Sequence, residues 1–274
     1  MLRRSQLYVP GNNERMATKA SMLEADSVIL DLEDAVPEDQ KGQARELVIR
    51  LSRELDWGRR ELCVRTNPRG SRDFSKDIEA AARCGRVQTI VIPKADGDCS
   101  AIAARTRKAL IPIVETASGL VNLGAVASSA RAVAVTFGAA DFAASVGGSV
   151  GSYQGSLVVK TLIAAAAAAF GLDAIDSVFF DLEDKRGFRR EAAAARGLGF
   201  VGKQVVHPSQ VGIANQVFSP TRAQLEWARK VVDELAKASS GARGAVRVDG
   251  KLVDAVHGRI ARRILESSKD RGGL

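Results

Sequence analysis

Cysteines, aromatics and long apolar runs are all scarce in this chain, and each shortage excludes a class of protein. The 274 residues include 3 cysteines, Cys63, Cys84 and Cys99. Their odd number and wide spacing fit neither a disulfide framework nor a zinc or dithiol motif, so they are expected as free thiols in a reducing compartment. Aromatics make up 5% of the sequence, and they are not interleaved with basic residues as a nucleic-acid surface requires. The Ala-rich stretch 157–172 is too short to span a bilayer and contains Lys160. Residues 1–9 are basic and lack the apolar core of a secretory signal. The expectation is a cytoplasmic protein whose partners include neither nucleic acid nor membrane.

What is present describes a sizeable core. Apolar residues are 46% of the chain and charged residues 26%, with a formal net charge of +8. The Lys and Arg residues are dispersed, which reads as a solvated basic surface that also favours an anionic ligand such as a phosphate-bearing cofactor.

Short β-branched runs alternate with longer amphipathic stretches. The runs are 6–10, 27–32, 61–66, 89–93, 109–114, 132–137, 174–180 and 199–207, each apolar on both sides. Strands of that kind have both faces covered. Helical patterns fall between them, at 13–25, 38–54, 75–84 and 187–197 among others. Eight βα units in roughly 250 residues predict a (β/α)₈ TIM barrel. A doubly wound open sheet is the competing architecture, but the first turn, Val9-Pro10-Gly11-Asn12-Asn13, carries no GxGxxG. The barrel domain is expected over 1–238. Residues 239–274 then form a linker and a C-terminal helical extension, more chain than a barrel needs and expected to pack on a neighbouring subunit.

Acidic residues gather where barrel chemistry takes place, at the C-terminal ends of the strands. Strand two ends on Asp31, Glu33 and Asp34, strand three on Arg65 and Asn67, and strand four on Lys94. Glu115 follows strand five, Asp141 lies just past strand six, and Asp181, Glu183 and Asp184 follow strand seven. Carboxylates that close apolar strands are costly to bury alone. A hard cation such as Mg²⁺, which takes one or two carboxylates and keeps waters, explains them. Glu115 and Asp141, from adjacent strands, are the best pair of direct ligands. Pairing of each acid with a basic neighbour at the rim is the alternative, and for Lys94 it competes with a role in binding a substrate carboxylate.

Several segments share their wording with one known family. They are Arg4-Ser5-Gln6-Leu7-Tyr8-Val9-Pro10-Gly11, Asp31-Leu32-Glu33-Asp34-Ala35-Val36 with Lys41 and Ala44-Arg45, and Val114-Glu115-Thr116-Ala117-Ser118-Gly119. Phe137-Gly138-Ala139-Ala140-Asp141-Phe142, His207-Pro208-Ser209-Gln210 and the tail Val248-Asp249-Gly250-Lys251-Leu252-Val253-Asp254 follow in order. Together they resemble the citrate lyase β-subunit-like family of acyl-CoA lyases across nearly the whole chain.

The resemblance implies an Mg²⁺-dependent carbon–carbon lyase that cleaves a 3-hydroxyacyl-CoA thioester, citramalyl-CoA or malyl-CoA, to acetyl-CoA and a 2-keto acid. It makes Glu115 and Asp141 the metal ligands, with Glu115 also touching substrate, and gives Glu33 and Asp34 the metal-bound waters. Arg65 would contact the substrate near the cleaved bond, and Asp254 would enter a neighbouring subunit's site as acid/base within a homotrimer or hexamer. Arg15 and Lys19 are candidates for CoA phosphates, against a plain reading as solvated helix cations. Two departures stand out: the tail reads Asp254-Ala255-Val256-His257 where the family places a proline, and Lys160 stands in for an arginine common after strand six. The alternatives are the citryl-thioester lyase subunit of a carrier-dependent citrate lyase and a non-catalytic barrel used for binding or assembly.

Overall fold

The computed structural model describes residues 1–239 and 245–269. Its contacts divide the chain into two compact units, Leu2–Phe218 and the chain from Ser219 onward.

The first unit is the expected barrel. In order it comprises β1 (Ser5–Pro10), α1 (Glu14–Ala20), β2 (Ser27–Asp31), α2 (Lys41–Glu54), β3 (Glu61–Arg65), α3 (Phe74–Arg83), β4 (Thr89–Ile92), α4 (Ser100–Thr106) and β5 (Ala109–Val114). Then come α5 (Ala117–Val121), α6 (Leu123–Ala127), β6 (Ala134–Phe137), α7 (Ala139–Val146), α8 (Val150–Gln154), α9 (Leu157–Ala169), β7 (Asp173–Asp176), α10 (Lys185–Gly197), β8 (Gly202–Val205) and α11 (Pro208–Val217). The eight strands close into one parallel barrel in sequence order, β8 pairing back on β1. The alternation of side chains along each strand sorts them into two layers. Ile29, Cys63, Val91, Ile111, Ala134 and Ile175 fill the interior. Their neighbours, such as Val28, Leu30, Leu62, Val64 and Ile90, pack outward into the core shared with the helices.

The two ends of the barrel differ. At the N-terminal end Arg3 pairs with Glu61 and Asp173, each at 2.8 Å. Glu61, 1% exposed, also accepts from Ser27 Oγ at 2.8 Å and Thr89 Oγ1 at 2.6 Å. Its four donors hold its carboxyl below the usual range despite burial, which acts most strongly in the other direction. That network fills this end of the barrel with buried, paired charge.

Lys160 belongs to another buried group and is no stand-in for a substrate arginine. It reaches Asp176 at 2.7 Å, and Lys203 reaches Asp176 and Glu191 from the other side. Two lysines and two acids neutralise one another between strands and outer helices. Lys160 is 3% exposed and its charge is already committed.

The second unit begins earlier than the expected boundary at 238. The helix α12 (Arg222–Ser239) packs with the hairpin of β9 (Ala245–Val248) and β10 (Lys251–Asp254) and with α13 (Ala255–Lys269). Ala228, Val231, Val248, Val253 and Ala261 make its small core. The periodicity of 221–238 gave a helix but not the surface it covers, and its apolar stripe faces α13. Asp249 and Gly250 turn the hairpin with positive φ, the conformation that a tight two-residue turn demands.

Candidate active site

β2, β3, β5 and β6 deliver the site, and the sheet register fixes who meets whom. Asp31 stands opposite Arg65, and the two form a two-point ion pair, Nε to Oδ1 at 2.7 Å and Nη2 to Oδ2 at 2.6 Å. Arg65 Nη1 reaches Glu33 Oε2 at 2.7 Å and Asp34 Oδ2 at 3.5 Å. The guanidinium lies 4.9 Å over the Tyr8 ring, whose hydroxyl accepts from Gln204 Nε2 at 2.8 Å. A guanidinium has five N–H donors, so Arg65 keeps at least one on Nη2 for a ligand. Its surrounding acids hold it charged, against burial, which is the largest single influence.

Glu115 follows β5, next to the end of β6. Its carboxylate is 3% exposed and accepts the Lys94 backbone N–H at 2.7 Å. Burial first, then the negative charges of Glu33 and Asp141, push its carboxyl up to about 8. Gly138, opposite, explains how the carboxylate fits. A Cβ there would sit 2.3 Å from Glu115 Oε2 and 2.6 Å from its Cβ. Gly138→Ala is therefore expected to displace Glu115 and, with Glu115 read as a metal ligand, to weaken Mg²⁺ binding at least tenfold; calorimetric titration with Mg²⁺ checks this, and unchanged affinity refutes it. Asp141 lies in the first turn of α7, where a negative charge is favoured by the helix dipole.

Lys94 follows Pro93 after β4 and bridges these groups. Its Nζ is 2.9 Å from Glu33 Oε1 and 3.7 Å from Asp141 Oδ1. The rim pairing considered for it from the sequence is thus present. Glu33 is 3% exposed and held between Lys94 and Arg65; burial nonetheless pushes its carboxyl up. Lys41 braces the turn that carries Glu33, donating to the Leu32 and Glu33 carbonyls at 3.1 and 3.2 Å and to Asn67 Oδ1 at 2.6 Å.

A cavity of about 350 Å³ lies at the C-terminal mouth, where Asp31, Asp34, Arg65, Glu115 and Asp141 meet an apolar wall of Ile113, Val178 and Phe180; Lys94 and Glu33 stand behind this lining, in contact with Asp141 and Arg65. Among the described residues no trio of His, Cys, Asp or Glu forms a ready-made metal cage. The donor set still fits a hard divalent ion. Glu115 and Asp141 supply carboxylate oxygens, and a cation would relieve the like-charge repulsion that now raises Glu115.

Other expected residues lie elsewhere. Arg15 and Lys19 are exposed on α1, outside the cavity lining. Asp181 accepts from the Glu183 and Asp184 backbone, and Asp184 caps α10, so the second Asp-Leu-Glu-Asp shapes a loop. His207 caps α11, its Nδ1 facing the Ser209 N–H at 3.2 Å. Asp254 stands where β10 meets α13 in the second unit, its Oδ1 2.8 Å from His257 Nδ1 and accepting the Val256 N–H at 2.9 Å. Tyr8 and Gln204 were given no role from the sequence, and Asp31 was read only as one of the strand-end acids. The inward phase of β1 was the one available signal for Tyr8.

Residues 4–208 match the sequence model of the HpcH/HpaI aldolase/citrate lyase family. The chain belongs to that family. Within it, the chain is 36% identical to a (3S)-malyl-CoA thioesterase of Cereibacter sphaeroides, covering 97% of this chain and 94% of that protein. It is 34% identical to the mitochondrial citramalyl-CoA lyase of Rattus norvegicus, over 92% and 82% of the two chains. Among solved structures, CitE of Mycobacterium tuberculosis in complex with magnesium, acetoacetate and coenzyme A is 33% identical, with a TM-score of 0.79 and 97% of each chain covered. The resemblance read from the motifs is confirmed, and so is the barrel.

Proposed function

We infer that this chain is an Mg²⁺-dependent carbon–carbon lyase that cleaves a 3-hydroxyacyl-CoA thioester to acetyl-CoA and a 2-keto acid. One observation carries the reading: a buried carboxylate, Glu115, lines a cavity with Asp141 and Arg65 at the C-terminal mouth of the barrel. Relatives that match over nearly the whole chain act on citramalyl-CoA and malyl-CoA.

Glu115 and Asp141 would hold the ion, which when bound acidifies the substrate hydroxyl and stabilises the keto-acid oxygen. Arg65 directs its remaining N–H at charge developing on oxygen and is preorganised by Asp31, so no reorientation is needed during the reaction. Lys94 supplies positive charge for the substrate's carboxylate. Val178 and Phe180 offer apolar surface to the acyl chain. As the carbon–carbon bond breaks, the hydroxyl proton passes to the Asp254 carboxylate of a neighbouring copy, and the electron pair of that bond passes into the thioester carbonyl. The resulting enolate needs a proton on its terminal carbon.

Asp254 of a neighbouring copy is the proposed donor. Its Oδ1 is anchored by the first turn of α13 and by His257, which leaves Oδ2 for the proton. A homotrimer or hexamer follows from this reading, and Leu157, Val158 and Leu162, exposed along α9, offer apolar surface for assembly. The three buried free thiols suit a reducing compartment, and no described helix is long and apolar enough to cross a membrane.

The test is turnover with Mg²⁺ and a panel of citramalyl-, malyl- and β-methylmalyl-CoA, following keto-acid release. Turnover only with a thioester on a carrier protein would favour the citrate lyase subunit. No turnover, and no stabilisation by Mg²⁺ with a keto acid, would leave a binding barrel. Asp254→Asn is expected to slow exchange of acetyl-CoA methyl protons with solvent deuterium about 100-fold or more, while keto-acid binding persists. An exchange rate equal to wild type would remove Asp254 from the chemistry.

A further inference from the structure

Lys94 occupies a position that ion pairing alone does not explain. One residue serves three carboxylates: its backbone N–H goes to Glu115, and its ammonium lies between Glu33 and Asp141. To do so the backbone bends into the left-handed region, φ +50°, which is unfavourable for any residue but glycine. Strain of that kind persists where the surroundings over-determine it, and it clusters at functional sites.

The cations of the site are not equivalent. Arg65 is locked by two short bonds to Asp31 and a third contact to Glu33. Lys94 has a flexible four-carbon stem and a side chain 36% exposed, and its approach to Asp141 is long, at 3.7 Å. It can leave Asp141 by rotating its stem while keeping Glu33, and its backbone bond to Glu115 survives that movement unchanged.

We propose that Lys94 is a built-in counter-cation that shields Asp141 in the metal-free site, gives Asp141 up to the divalent ion, and presents the freed ammonium to the keto acid's carboxylate. The inference rests on the reading of Glu115 and Asp141 as the metal ligands. The charges dictate its direction. An ammonium within a few ångströms of a divalent ion opposes binding of that ion, in a site whose low dielectric strengthens the effect. The same ammonium attracts an organic anion arriving afterwards. Lys94 thus lowers metal affinity, raises keto-acid affinity and couples the two, the metal entering first. By linkage the keto acid tightens the metal by the same factor as the metal tightens the keto acid.

The experiment is calorimetric titration of the full chain at one pH, first with Mg²⁺ alone, then with pyruvate at saturating Mg²⁺. Lys94→Met is expected to bind Mg²⁺ about tenfold more tightly than wild type and pyruvate at least tenfold more weakly. Lys94→Arg, which keeps the charge, should stay within about threefold of wild type for both ligands and controls for folding. The opposite signs of the two shifts are the signature, since a merely structural lysine would weaken both ligands together. Weaker or unchanged Mg²⁺ binding by Lys94→Met overturns the proposal. Wild-type protein that binds no Mg²⁺ would instead overturn the metal reading on which it rests, and the wild-type titration alone reveals that.

Discussion

Glu115→Gln is expected to cut turnover by about 10³-fold or more while making the metal-free protein more stable. On the proposed reading of Glu115 as a metal ligand, its loss removes several kcal/mol of charge stabilisation from the transition state, and each 1.4 kcal/mol is roughly tenfold in rate. The gain in stability follows from linkage. Burial and the charges of Glu33 and Asp141 push the folded carboxyl up to about 8, far above its ordinary range near 4.5. Between those values the folded state binds more protons than the unfolded state, so stability falls as pH rises through that window. It is fully present below the unfolded value and lost by the time pH passes about 8. Glutamine is neutral at every pH and of the same shape. The variant should therefore gain roughly 2–4 kcal/mol over wild type near pH 8 and little at pH 5. Urea denaturation without metal across pH 5 to 9 reads this difference directly. Wild-type Mg²⁺ affinity should rise over the same window, because binding displaces the proton. Parallel stability curves for the two proteins would show that Glu115 is an ordinary, solvated carboxylate.

Arg65→Met should be the most destabilising change at the mouth, by about 3–5 kcal/mol. Removing one partner of a buried ion pair leaves the other charge stranded. Here two are stranded, Asp31 at 1% exposure and Glu33 at 3%. Asp31 keeps the backbone N–H groups of Glu33 and Ala35, which limits the loss. Lys94 keeps Glu33 partly paired. Arg65→Lys separates the two roles of the side chain. It restores a charge, so much of the stability returns, but it lacks the planar fork and the stacking on Tyr8, so turnover stays low. Denaturant midpoints and keto-acid release from both variants check this. An Arg65→Met protein within about 1 kcal/mol of wild type would mean that the observed ion pairs contribute little.

The fold was legible because its signals are local. Apolar strand runs, amphipathic stretches between them and strand-end acids each follow from a few adjacent residues. All eight strands overlap the runs that predicted them, with ends shifted by two to four residues at β6, β7 and β8. The paired acids Glu115 and Asp141 were legible for the same reason, since a carboxylate closing an apolar strand stands out in one dimension.

The rest depended on partners distant in sequence. Asp31 was one acid among several at a strand end until the register set it against Arg65. Lys160 read as a spare cation because its neutralising groups, Asp176 and Glu191, lie on other elements. Tyr8 and Gln204 are 196 residues apart in the chain, and only barrel closure through β8 and β1 joins them. The helix α12 was visible as a helix, but its packing against α13 was not.

By itself the sequence determined the alternation of elements, the barrel and the identity of the acids at its mouth, because periodicity and strand-end chemistry are properties of short segments. Only the tertiary structure decided which acid is paired and which is not. Asp31 is neutralised by Arg65, whereas Glu115 lies buried among negative charges with a backbone N–H as its nearest donor. That distinction depends on burial and on distances between separate strands, and it sets Glu115 apart from the other carboxylates at the mouth.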